Sequence, residues 1–135
     1  MTKWLAALAA ALTLAACSNS TSSATTPSTP KTTDTFNGTV AVKGAPDTHN
    51  FTVGSSGQVD ITLTATTPAG ATLGLSVGTT SASGCVAVAN GSVASAAGAV
   101  AQLSGVLSPA TYCVAVFDIG NLTQSVTYTV TVAHP

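Results

Sequence analysis

Few residues in this chain can do chemistry, and they fall into two sets. Three cysteines stand at Cys17, Cys85 and Cys113; the others are His49 and His134 with the carboxylates Asp34, Asp47, Asp60 and Asp118. A cysteine can be a disulfide partner, a free reactive thiol or a lipid attachment point, and at Cys17 all three chemistries are open from the residue alone. Hydrolysis needs a nucleophile, a base and an acid that orients the base. His49 follows Asp47 by two positions in Asp47-Thr48-His49, so a strand there would put both side chains on one face. No Gly-x-Ser-x-Gly elbow accompanies them. His49 is expected on a solvated loop and His134 at a frayed end, so no catalytic residue is assigned.

Zinc wants three or four clustered His, Cys or carboxylate ligands, and no such spacing occurs. For calcium, Asp118 and Asn121 in Phe117-Asp118-Ile119-Gly120-Asn121 offer oxygens. The same residue types build tight turns, and a turn is the expectation. No metal and no cofactor is expected.

The composition narrows the function classes further. Charged residues are only 5% of the chain, there is no Arg or Glu, and the net charge is −1. A basic surface that tracks phosphates cannot be built from Lys3, Lys31 and Lys43, which argues against nucleic acid as a partner. Serine and threonine supply most of the polarity, so the surface is wetted by hydroxyls and gains little solubility from charge.

Met1 to Lys3 is a short basic stretch, followed by the apolar run Trp4 to Ala16. That run is shorter than the roughly 20 residues a membrane span needs, but it suits the core of a signal peptide. It ends in Leu14-Ala15-Ala16-Cys17, which resembles the lipobox of bacterial lipoprotein signal peptides. The resemblance covers the first 17 residues. It implies removal of the signal peptide 1–16, a diacylglyceryl group on the Cys17 thiol, and a place in the bacterial cell envelope with the membrane as partner. Ser18, rather than Asp, follows the cysteine, which by the enterobacterial sorting rule implies the outer membrane. Two or more acyl chains hold stably where one is marginal, each buried methylene contributing about 0.8 kcal/mol. Ser18 to Asp34 holds no apolar residue larger than alanine and contains Pro27 and Pro30. Residues 17–34 therefore read as the lipidated cysteine and a disordered linker, and 35–135 as one domain.

From Phe36 the apolar residues recur with period two between clusters of Gly, Pro, Asn and Ser. Val59, Ile61, Leu63 and Ala65 share one face of a strand, and Val126, Tyr128, Val130 and Val132 share one face of another. Similar stripes run through Val40 and Val42, Phe51 and Val53, Leu73 to Val77, Val86 and Val88, and Tyr112 to Val116, with a weaker strand near Ala99 to Leu103. About eight short strands, each apolar on one side, predict an all-β chain folded as an antiparallel two-sheet β-sandwich. Turns are expected at residues 54–58, 66–71, 89–92 and 118–121.

The stretch from Phe51, with Pro109-Ala110-Thr111-Tyr112, Val114, Val116 and Tyr128 to Val132, resembles the bacterial pre-peptidase C-terminal domain. That resemblance implies a jelly-roll-like sandwich, usually an appendage of secreted enzymes without catalysis of its own. The acidic strand common in that family is replaced here by uncharged Ala71 to Val77, which puts an inherited calcium site in doubt.

With Cys17 lipidated, Cys85 and Cys113 remain as an even pair in an oxidising setting. Their alternation with Val86, Val88, Tyr112 and Val114 points both away from the core stripes, toward a disulfide between neighbouring strands. Closing that loop stabilises by roughly 3–4 kcal/mol in the chain-entropy model. Trp4 leaves with the signal peptide, and Phe117 has the parity of an exposed ring. The leading expectation is a lipid-anchored, non-catalytic binding or envelope-structural module, its protein or glycan ligand unspecified. The alternatives are a carbohydrate-binding accessory to a separate secreted enzyme, and a small hydrolase using His49 and Asp47. If the cysteines pair, mass spectrometry finds Cys85 and Cys113 alkylated only after reduction; alkylation of both without reductant would refute the pairing.

Overall fold

Strands with one apolar face must bury it, and two such sheets placed face to face do so. The computed structural model describes residues 29–135. Cys17, the lipobox and most of the expected linker lie outside the described residues. Eight strands follow in order: β1 Thr32–Val40, β2 Asp47–Val53, β3 Gly57–Thr67, β4 Thr72–Ser81, β5 Gly84–Ala96, β6 Leu103–Leu107, β7 Ala110–Phe117 and β8 Val126–His134. They form two antiparallel four-stranded sheets, ordered β1-β8-β3-β6 and β2-β7-β4-β5, and no described residue is helical.

The pairing is nested. β1 lies with β8, β2 with β7, β3 with β6 and β4 with β5, as though one long hairpin had been rolled into a barrel-like sandwich. This is jelly-roll order, each sheet being completed at its centre by one further pairing, β3 with β8 in the first and β4 with β7 in the second. The core between them is aliphatic, with Ile61, Leu63, Leu73, Leu75, Val114, Val116, Val130 and Val132 all fully buried. Each comes from a period-two stripe legible in the sequence.

Four local features differ from the pattern-based reading. β1 starts at Thr32, so Thr32, Thr33 and Asp34 are not linker but pair with His134, Ala133 and Val132. These three residues, none of them apolar, join the strand because β8 offers them a complete ladder. The strand expected near Ala99–Leu103 is instead Leu103–Leu107, set by its partner Gly57–Ile61. Upstream of it, Gln102 takes over the ladder: its backbone N–H donates to the Ile61 carbonyl, and its amide accepts from Leu63 N and donates to Leu63 O.

The stretch Ala89–Ser92 is not a turn between strands. It belongs to a bulge inside β5, where register runs from Ser76↔Ser92 to Gly78↔Ala87 and Asn90 takes a positive φ of 57°. The reversal comes earlier, where Ser81 pairs with Gly84. Finally, Cys85 and Cys113 are disulfide-bonded but not on neighbouring strands: β4 lies between β5 and β7. Strands two apart would normally hold Cα atoms about 10 Å from each other, yet these are 5.8 Å apart. The β4–β5 tip folds over the outer face of its own sheet. The Val86 carbonyl lies directly above Gly78, and Thr80 donates to Asn50 of β2 at 3.3 Å. Gly78, the partner of Cys113, has no side chain to block that crossing. The fold-over also leaves Val86 50% exposed, outside the core stripe assigned to it.

A methyl group at Gly78 would collide with main chain that cannot swing aside. Gly78→Ala is expected to destabilise the domain by about 1–3 kcal/mol, measured as a lower urea midpoint, whereas Gly105→Ala, with open space at its Cα, should leave the midpoint nearly unchanged.

Candidate functional site

The polar side chains gather at one flank of the sandwich, where β1 and β8 of one sheet face β2 of the other. Asp47 and His49 share the inward face of β2 with Phe51 and Val53, so they belong to the core side of the strand. Tyr128 lies on the inward stripe of β8 and is 3% exposed. Its hydroxyl donates to Asp47 Oδ2 at 2.8 Å. Because that spends its single proton, His49 Nε2, 2.9 Å away, must be the donor to the same oxygen. His49 Nε2 is also 3.7 Å from Asp47 Oδ1, and its ring stacks on Phe36 at 4.8 Å between centroids. Gly38 makes the room, since a Cβ there would run into the Asp47 carboxylate and the Tyr128 ring.

Burial, together with the hydrogen bond to Asp47 and its charge, pushes the Tyr128 hydroxyl well above its ordinary pKa of 10.0. The phenol stays neutral and donating across the ordinary pH range. Two further contacts extend the seam. His134 Nε2 sits 3.0 Å from Asp34 Oδ2, and its ring leans on Phe51 at 5.5 Å. Neither histidine lies where the sequence reading put it. His49 is on a strand facing inward, and His134 is 6% exposed at the paired end of β8, whose continuation Pro135 accepts from Gly54 N at 2.9 Å.

A hydrolase would need His49 beside a nucleophile open to substrate. The hydroxyl it meets is the buried Tyr128, already committed to Asp47. The geometry suits a clamp between sheets: three polar groups satisfy one another where the apolar core runs out.

The other carboxylates are also engaged. Asp118 Oδ2 accepts from Lys43 N at 2.9 Å, while Oδ1 accepts from the backbone N–H groups of Gly120, Asn121 and Leu122. These bonds, led by that from Lys43, hold its pKa below the usual carboxylate value. Both oxygens thus accept backbone N–H groups that shape the turn, and the Asn121 amide donates to the Thr72 carbonyl at 3.2 Å. Asp60 binds Lys31, Ser104 and Gln58, with Lys31 the strongest influence, and its pKa falls to about 2. Among the described residues no three His, Cys, Asp or Glu side chains cluster as metal ligands.

Phe117 is not a free platform. Its ring lies against Gly74, half-buried on the outer face of β7. The opposite outer face, over β1, β8 and β3, is threonine-rich. Register places Thr35, Thr131 and Thr62 in one row and Thr39, Thr127 and Thr67 in another. A shallow hollow of about 400 Å³ lies there, lined by Asn37, Thr39, Ala65, Thr67, Thr127 and Thr129. Comparison with protein-family models, with curated proteins and with solved structures finds no match to this chain.

Tyr128→Phe leaves Asp47 and His49 without their shared partner and is expected to cost about 1–3 kcal/mol. The pH dependence carries the sign of a raised pKa. The contribution is complete below pH 10, where folded and unfolded phenols are both neutral. Above it the unfolded state releases the proton first, and stability falls by about 1.4 kcal/mol per pH unit. Urea titrations between about pH 9 and 11 should show that fall in the parent chain, and a smaller one in Tyr128→Phe.

Proposed function

We propose that this chain is a bacterial envelope lipoprotein that presents a non-catalytic β-sandwich as a binding or structural module. The observation that carries the reading is Leu14-Ala15-Ala16-Cys17 at the end of an apolar run, with a Ser/Thr/Pro segment after it. Lipid at Cys17 would tether the domain through the residues that precede β1, and Lys31, bonded to Asp60, fastens the start of that strand. The Cys85–Cys113 disulfide suits an oxidising compartment. The engagement of Asp47, His49, Tyr128 and Asp118 with one another or with backbone groups supports a module without chemistry of its own. The resemblance to the pre-peptidase C-terminal domain agrees with an accessory role.

A second reading, a carbohydrate-binding accessory to a separate secreted enzyme, rests on the uncharged hollow of hydroxyls and Asn37. Neutral glycans are bound through such donors and acceptors. The face lacks a projecting aromatic ring, so the first reading is preferred.

The anchor is tested in a bacterial host with the full chain. The parent protein should sediment with membranes and take up [3H]palmitate, and Cys17→Ser should lose the label and move to the soluble exported fraction. A Cys17→Ser variant that still labels and remains with the membrane would sink the proposal.

A further inference from the structure

The four edge strands are treated unequally. β1 and β2 carry Asp34, Asp47 and His49 and are stitched across their flank. β5 is interrupted by its bulge and tied down by the disulfide. β6, Leu103-Ser104-Gly105-Val106-Leu107, has no charge, no proline and no bulge, the features with which sandwiches usually blunt a free edge. Among the described residues nothing pairs its outer side. Val106 is 74% exposed, and between β6 and β5 an apolar groove of about 160 Å³ opens onto the core residues Val59, Ile61 and Val77.

We propose that β6 pairs antiparallel with β6 of a second copy, joining the two β1-β8-β3-β6 sheets into one of eight strands. The occupant is a second copy because the strand reads almost alike in both directions about Gly105. With Gly105 opposite Gly105, Leu103 meets Leu107 at both ends, and Ser104 meets Val106. Leu103 and Leu107 line the groove, so the leucine pairs form across its mouth. Cross-strand apolar pairs of this kind stabilise a sheet, and no charge on the strand repels its copy. A two-fold contact closes on itself, so assembly stops at the dimer. The surface owes nothing to the lipid reading.

Gly105→Cys in the full chain tests the register, because its Cα has open space for a side chain. Directly opposed Cα atoms of an antiparallel pair lie about 4.5–5.5 Å apart, within disulfide reach. Non-reducing electrophoresis should shift this variant to twice the monomer mass, with collapse on reduction. Thr123→Cys, on the β7–β8 connection, should stay monomeric, and adding Ser104→Lys with Val106→Lys should abolish the Gly105→Cys shift. In the unsubstituted chain, hydrogen-exchange protection of the β6 amides should rise with protein concentration. A Gly105→Cys variant that cross-links no more than Thr123→Cys, or β6 protection independent of concentration, overturns the proposal.

Discussion

A sandwich of two short sheets has more edge than it can hide, and the treatment of those edges organises this molecule. At one flank the apolar stripes of β1, β2 and β8 give way to Asp47, His49 and Tyr128, which face one another across the gap between sheets. Tyr128 is the hinge of that arrangement. It offers an apolar ring to the core and a hydroxyl to the seam, which a buried tyrosine needs and an aliphatic residue cannot supply. Gly38 exists there as space. The flank is closed by side chains rather than by a further strand.

At the other flank there is no such seam. β5 and β6 meet loosely, and the groove between them reaches aliphatic residues of the core. The stabilising device on that side is covalent. By folding over Gly78, the β4–β5 tip brings Cys85 to Cys113, so β5 is pinned to β7, a strand with which it shares no ladder. This matters in a chain with so few charges. Only Lys31–Asp60 joins a lysine to a carboxylate among the described residues, and the remaining work of fixing loops falls to backbone N–H groups on Asp118 and to the Gln102 amide. Threonine takes the place of charge on the outer face, where its β-branch suits the strand and its hydroxyl suits water.

How much of this was legible depended on the range of the interaction. Period-two alternation is local, so the buried stripes through Val59–Leu63, Leu73–Val77, Tyr112–Val116 and Val126–Val132 could be read directly, and with them the all-β class. The parity of Cys113 was equally readable. It faces away from the aliphatic core, and it is buried by the tip that folds over it. Boundaries failed where a partner strand, and not the segment itself, decides whether backbone groups are satisfied. Thr32–Asp34 looked like linker and became strand because β8 was there to receive it. Ala89–Ser92 looked like a turn and became a bulge because β4 continued beneath it.

The chemistry-bearing residues divide in the same way. From the sequence alone came the small number of ionisable groups, the shared face of Asp47 and His49, the core parity of Tyr128 and the even cysteine pair. Only the tertiary structure decided that Tyr128, 81 positions from Asp47, spends its proton on that carboxylate, that His134 is held by Asp34, and that the cysteines meet across an intervening strand. Periodicity says which way a side chain points but not what stands opposite. That depends on the order in which eight strands are rolled together, a property of the whole chain.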